Sequence, residues 1–317
     1  MRVKTRPSGV LKKFVYILIF LMGWNAPSEA QEVEVGVWMG MANYFGDLNP
    51  VFSFKEVRWA GGAFYRYNLN PRMAVRVGVN YARVKASDSK IEKVPYPQAR
   101  NLSFESEILE LGGAYEINFF KFQPKKDKFF TPYLMVGFSV FYYNPYTSVD
   151  GNKVYLQQVG TEGQNTPLGE ENAYARYSFA IPFGGGIKYA LNNNWSINVE
   201  ISSRLSFTDY LDDVSRNYVD PGVLGSDLAR YLHDRSLEPT AAVSGDSRST
   251  PEFDEFVAGS ITTIVGRDGQ TYTVLNGYGQ EFPDNWRGND NDNDHYFVTS
   301  LKLSFILGGK FLRAKFR

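Results

Sequence analysis

Glu200-Ile-Ser-Ser-Arg-Leu-Ser-Phe-Thr-Asp-Tyr-Leu-Asp-Asp-Val-Ser215 carries an alternating run straight into an acidic turn, and the alternation begins earlier, at Trp195. Trp195, Ile197, Val199, Ile201, Ser203, Leu205 and Phe207 make one face mostly apolar, while Ser196, Asn198, Glu200, Ser202, Arg204 and Ser206 make the other polar. Period-two alternation marks a strand whose two faces meet different surroundings. A soluble sandwich core would not set Glu200 and Arg204 opposite a second, greasy face. A strand between lipid and a polar lumen would.

The same pattern recurs on both sides of this stretch. Val33, Val35, Val37 and Met39 oppose Glu34, Gly36, Trp38 and Gly40, and a second strand covers about Arg58 to Tyr67. Met73, Val75, Val77, Val79 and Tyr81 oppose Arg76, Gly78 and Asn80; Leu109, Leu111, Tyr115 and Ile117 oppose Ile108, Glu110, Gly112, Ala114 and Glu116. A fifth strand puts Pro132, Leu134, Val136, Phe138, Val140 and Tyr142 outside, a sixth Tyr177, Phe179, Ile181, Phe183, Ile187 and Tyr189, and the last Phe297, Thr299, Leu301, Leu303, Phe305 and Leu307. With the opening strand the total is eight. Connections after the second, fourth and sixth strands are short. Those after the first, third, fifth and seventh are longer, among them Ser87 to Asn101 and Asn144 to Ala173. This is the rule of an all-β, transmembrane, up-and-down antiparallel β-barrel with short periplasmic turns and long external loops. The expected barrel has both termini in the periplasm, interfacial girdles from Tyr67, Tyr81, Tyr115, Tyr189, Trp195 and Tyr296, and an interior filled by side chains, without an open pore.

Composition agrees with that class. Arg2, Lys4, Arg6, Lys12 and Lys13 precede the apolar run Phe14 to Trp24, and Ser28-Glu29-Ala30 offers small residues for cleavage. Residues 1–30 therefore read as a secretory signal peptide and 31–317 as the barrel, addressed to the outer membrane of a Gram-negative cell with its lipid as surroundings. The chain has no Cys, which excludes disulfides, thiolate metal sites and a lipid-anchored cysteine. Without residues 1–30 the net charge is −4, and no later run is long and apolar enough for a spanning helix. Nucleic acid is not an expected partner in this compartment, nor is a small-molecule substrate or a cofactor.

The lumen faces carry Glu34, Glu110, Glu116 and Glu200 with Arg66, Arg76, Lys188, Arg204 and Lys302. Buried charges persist only in pairs, so these are expected to form a salt-bridged plug that fixes strand register. The fourth external loop, residues 209–294, holds seventeen acidic residues against six arginines, a net charge of −11. Within it Ser226 is placed to cap a helix from Asp227 to His233, and Ile261 to Val265 with Thr271 to Leu275 around Asp268-Gly269 reads as a hairpin. His233 and His295 lie in or beside this loop with Asp209, Asp212 and Asp213, the residue types of a rim hydrolase. No nucleophile motif accompanies them, so they read as solvated loop residues and the protein as a non-enzyme. Asp290, Asp292 and Asp294 alternate as in a calcium loop, but the sixth-position Gly and the twelfth-position acid are missing, which leaves an acidic loop end. Bases gather at the opposite end, Lys121, Lys125, Lys126 and Lys128 in one short turn and Lys310, Arg313 and Lys315 in the tail, a candidate periplasmic docking surface.

Asn43-Tyr44-Phe45-Gly46-Asp47-Leu48-Asn49, Thr161-Glu162-Gly163-Gln164, Asp209-Tyr210-Leu211-Asp212-Asp213-Val214-Ser215 and Arg287-Gly288 together resemble the PorG-like outer-membrane proteins of Bacteroidetes, associated with the type IX secretion system. The resemblance covers essentially the whole chain after residue 30, apart from about Pro239 to Gly279. It implies a non-enzymatic barrel that serves protein transport as an assembly component, contacting a periplasmic lipoprotein ring of PorK- and PorN-like proteins through the basic turn and tail. It carries no catalytic role onto Asp209, Tyr210, Asp212 or Asp213, which are expected to lock the start of the long loop over the barrel mouth. The competing expectations are a rim-active hydrolase and a surface adhesion or cell-envelope barrel of the OmpA/OmpX type.

Overall fold

Alternation becomes architecture because each strand must bury its polar face and expose its apolar one. The structure, a computed structural model, describes residues 32–50, 56–90, 99–164, 166 and 173–307. The signal-peptide reading of residues 1–30 and the tail residues Lys310, Arg313 and Lys315 lie outside the described residues. The barrel strands are β1 (Glu32–Phe45), β2 (Arg58–Asn70), β3 (Met73–Ser87), β4 (Ser103–Asn118) and β5 (Phe130–Val149). A short β6 (Asn152–Tyr155) precedes β7 (Tyr177–Ala190) and β8 (Trp195–Ser206). The hairpin strands β9 (Ile261–Val265) and β10 (Thr271–Leu275) lie in the long loop, and β11 (His295–Leu307) completes the set.

Neighbours run β4-β3-β2-β1-β11-β8-β7-β5, and β4 also pairs with β5, so eight antiparallel strands close on themselves. Closure satisfies every edge, the condition for a sheet in lipid. The opening stretch keeps its expected sides: Glu200 is 1% exposed while its neighbour Ile201 is 60% exposed. Met39, Val77, Leu111, Phe138 and Leu301 extend the outward apolar belt around the barrel. Both described ends lie beside the short turns, since Val33 pairs with Leu307. There Lys125 Nζ reaches Glu32 Oε1 at 2.8 Å.

Two expectations are corrected. The segment from Asn144 does not leave the sheet as loop: β5 runs on to Val149 and turns back into β6, a hairpin that projects beyond the barrel. Tyr143 packs on its inner side and extends the core past the expected boundary, while Tyr146, of opposite parity, lies under Lys153 and donates to Glu105. Tyr296 is not a girdle residue. It is 1% exposed and donates from its hydroxyl to Glu110 Oε2 at 2.7 Å inside the barrel.

The lumen is solid. Arg66 bridges Glu34 (2.6 Å) and Glu116 (2.9 Å), and Arg76 bridges Glu116 (2.9 Å) and Glu200 (2.7 Å). Lys188 lies 2.6 Å from Glu116, Lys302 2.9 Å from Glu200 and Arg204 3.5 Å from Glu110. The Tyr133 hydroxyl donates to Glu200 at 2.6 Å. Gly186 makes room for that ring, since a Cβ there would sit 2.9 Å from it. The cavity left between Trp38, Phe64, Arg76, Glu110 and Lys302 is only about 30 Å³, room for about two waters.

Glu116 is therefore the shared anion of three cations. Glu116→Ala should destabilise the barrel by about 3–5 kcal/mol, because it strands buried Arg66, Arg76 and Lys188 rather than deleting a balanced set. Urea unfolding in lipid vesicles measures this; a loss below about 1 kcal/mol would show that the ion pairs do not hold the register.

Candidate functional site

Every external loop converges on one end of the barrel, and four of the segments singled out by the sequence meet there. In Asn43–Asn49, Tyr44 is the last inward residue of β1 and its hydroxyl lies 2.6 Å from Asp212 Oδ2. The same hydroxyl also reaches Asp294, whose other oxygen accepts the Leu211 amide at 2.9 Å. Gly46 must be glycine here, because a Cβ would run into Asp294 and the Tyr44 ring. Phe45 meets Phe297 edge-on at 6.4 Å, Asn43 is buried, and Asp47 Oδ2 accepts the Asn289 amide at 3.0 Å.

The turn Asp209–Ser215 is bent at Asp213, whose φ of 67° is a left-handed conformation Asp tolerates. Its carboxylate accepts from Tyr174 at 2.7 Å and from Thr161, and Tyr210 stacks on Tyr174 with ring centroids 4.3 Å apart. Arg287 ties the assembly together: Nη1 donates to Glu162 Oε1 at 2.7 Å and to the Asp213 carbonyl at 2.7 Å. Glu162 Oε1 in turn accepts the Ser215 amide at 3.0 Å. A second arginine, Arg100, chelates Asp88 at 2.7 and 2.9 Å and donates to the carbonyls of Asp47 and Arg287. Arg100, Asp88 and Tyr174 were not singled out in the sequence, since their contacts span distant loops and leave no local period.

Inside the long loop the short helix α1 (Asp227–His233) starts where expected, with Ser226 accepting from the Ala229 amide. The hairpin β9–β10 also forms with the expected bounds, and the helix α2 (Pro251–Ser260) precedes it without a matching expectation from the sequence. The reading of the histidines as solvated is corrected for His233, which is 1% exposed. Its Nδ1 lies 2.6 Å from the Thr161 carbonyl and its Nε2 3.2 Å from the Val219 carbonyl, away from Asp209, Asp212 and Asp213. Burial, aided by Arg287, pushes it down to about 3. The acidic end also separates: Asp294 is buried on Tyr44, whereas Asp290 and Asp292 bond exposed Asn291 and Asn289. Among the described residues no three acidic or histidine side chains gather as a metal site.

The cap holds more buried acids than bases. Burial pushes Asp209 up to about 9, helped by Asp212 and Asp47. Burial also lifts Asp47 to about 6 and Asp213 to about 7, the latter against the pull of Arg287. Asp212 and Asp294, sharing the Tyr44 hydroxyl, rise well above the ordinary range through burial, Asp212 with repulsion from Asp47 and Asp294 with repulsion from Asp212. Like charges this close do not all ionise, so the cluster keeps protons at neutral pH.

At the opposite end Lys121, Lys125, Lys126 and Lys128 are exposed on the turn after β4, beside the exposed rings of Phe119 and Phe120.

The family described as "Domain of unknown function (DUF6089)" matches residues 12–220, which include the strands from β1 to β8 and the turn Asp209–Ser215. No curated protein matches the sequence. Among solved structures, Neisserial surface protein A (NspA) is similar at 10% identity over 87% of this chain and 97% of that one, with a TM-score of 0.36. The N-terminal β-barrel domain of Pseudomonas aeruginosa OprF gives 8% identity, 88% and 98% coverage and a TM-score of 0.32. Ail, the attachment invasion locus protein of Yersinia pestis, gives 8%, 87% and 97%, with 0.33.

The raised carboxyls make the cap pH-sensitive in a defined sense. Their stabilisation is complete below the unfolded value of 3.8 and fades as pH rises through about 6, 7 and 9 for Asp47, Asp213 and Asp209. His233 works oppositely: its contribution is complete above 6.5 and fades as pH falls toward about 3. Above 6.5 only the acids of the cap change, so the protection of the 209–215 amides, their exchange relative to the intrinsic hydroxide-catalysed rate at each pH, should fall between pH 6.5 and 9.5, and Asp209→Asn should flatten that fall. Protection that rises or stays level in the wild type would contradict a protonated cluster.

Proposed function

The chain belongs to the family described as "Domain of unknown function (DUF6089)", and we propose for it the role of a non-enzymatic outer-membrane barrel that serves as an assembly component of a type IX protein secretion system. The observation that carries this reading is the division of labour along the barrel axis. The lumen is filled by paired charges and the outer mouth is locked by Tyr44, Glu162, Asp213 and Arg287. Such a barrel offers surfaces rather than a conduit.

The surface facing the periplasm is the one with a recognisable signature. Four exposed lysines and two exposed phenylalanines on one turn combine steering charge with apolar contact area, as an interface does. The resemblance of Asn43–Asn49 and Asp209–Ser215 to PorG-like proteins supports a periplasmic lipoprotein ring of PorK- and PorN-like subunits as the partner. Lys125 is already paired with Glu32, so its removal would disturb β1 as well as any interface.

The test uses Lys121→Glu with Lys128→Glu, which reverses charge on the turn and spares the Lys125 pair. Affinity purification from detergent-solubilised outer membranes should recover the ring lipoprotein with the wild type and about tenfold less with the double variant, mainly through slower association. A deletion strain should fail to secrete type IX cargo. Normal secretion without the protein, together with no ring lipoprotein in the purified material, would sink this reading.

A further inference from the structure

On the outer rim, between the start of the long loop and its return into β11, lies a cleft of about 800 Å³ that the mouth lock leaves unused. Two of its walls are aromatic: Phe207 and Trp286 are each 57% exposed. The rest is dense in side-chain amides, with Asn217, Asn289, Asn291 and Asn293 on one lining. We propose that this cleft binds the sugar headgroup of a glycolipid in the same membrane leaflet.

The chemistry of the lining selects hydroxyl-rich rings. A pyranose presents polarised C–H bonds on its faces, which suit the electron-rich face of an indole or phenyl ring. Its rim presents hydroxyls that both donate and accept, and an amide side chain can do either; a sugar would take the place of the bonds that Asn217, Asn289 and Asn291 now donate to Pro283, Asp292 and Asp290. Phosphate fits worse. The loop carries a net charge of −11, and the lining holds one base, Arg216, with the acid Asp290 also present. Asp209 in the wall, held up to about 9, adds no charge at neutral pH.

Position identifies the source of the sugar. Phe207 is one residue past the end of β8, and its amide still donates to the Phe179 carbonyl at 3.0 Å. It therefore continues the outward register of Val199, Ile201 and Leu205, all exposed on the lipid face. The cleft opens directly above that face, at the level where acyl chains give way to headgroups. A lipid standing against β8 would place its headgroup between Phe207 and Trp286, with the acyl chains supplying the anchorage that a free sugar lacks.

The full chain in mild detergent, offered equal amounts of digalactosyl diacylglycerol and phosphatidylcholine with matched acyl chains, tests this by native mass spectrometry. The wild type should retain the galactolipid preferentially, and Trp286→Ala or Asn289→Ala should lower that preference about tenfold, the effect of losing one anchor of a small site. Phosphatidylcholine retention should stay unchanged. Trp286 is more than half exposed, so its truncation leaves barrel folding intact, and Phe207→Ala gives an independent second variant. Equal retention of both lipids, or a preference that survives both Trp286→Ala and Phe207→Ala, overturns the proposal. Soluble digalactose binding as tightly as the lipid would overturn the membrane source. The purified chain alone is used, so failure here leaves the secretion reading standing and is distinguishable from its failure.

Discussion

The structure depends on the pairing of charge inside a space that side chains fill almost completely. Eight strands enclose an interior that side chains must fill, and every strand sends one polar group into the same network. Glu34 comes from β1, Arg66 from β2, Arg76 from β3, Glu116 from β4, Tyr133 from β5, Lys188 from β7, Glu200 from β8 and Lys302 from β11. Ladder hydrogen bonds tie only adjacent strands and are indifferent to a shift of two residues. The ion pairs join strands across the barrel and are not. A slip of one residue would be worse, since it turns each of these groups toward lipid at about 2–4 kcal/mol for a buried base.

Above the lumen the same problem is solved differently. In the barrel every buried acid is shared with or paired to a base, Glu116 with three of them. In the cap, Asp47, Asp209, Asp212, Asp213 and Asp294 outnumber Arg100 and Arg287. The excess is accommodated by holding protons, with the Tyr44 hydroxyl shared between Asp212 and Asp294. The mouth is thus sensitive to pH. A loop that must fold outside the membrane, where protons are available, can use that second solution. A strand crossing lipid cannot.

How much of this was legible follows from the range of each interaction. Period two in Trp195 to Phe207, the Ser226 cap and the Asp268-Gly269 hairpin are local signals, and the structure keeps all three. The convergence of Asn43–Asn49, Thr161–Gln164, Asp209–Ser215 and Arg287-Gly288 could be suspected from resemblance alone, because nothing in the spacing of four distant loops encodes contact. Tyr296 looked interfacial because it sits at a strand end, yet its parity places it inside with Glu110. His233 looked solvated because it belongs to an acidic loop. It ends an amphipathic turn of α1 with Ala229 and Leu232, also buried, and that helical spacing was the available signal. Arg100, in a polar loop with no periodic neighbour, offered none.

The long loop is not one unit in this respect. The family match ends at 220, but residues inside it are completed only by residues beyond it. Tyr44 needs Asp294, while Glu162 and Asp213 need Arg287. By contrast α2 buries no residue and β9 is almost wholly exposed. Removing Arg287 would strand a buried carboxylate at Glu162, and β10 is anchored too, since Leu275 is buried with Ala99, Tyr218 and Tyr278; only the largely exposed α2–β9 stretch buries little. The return arm of the loop is therefore bound to the barrel by the same charge-pairing demand that fills the lumen. The exposed α2–β9 stretch is free to differ without opening the mouth.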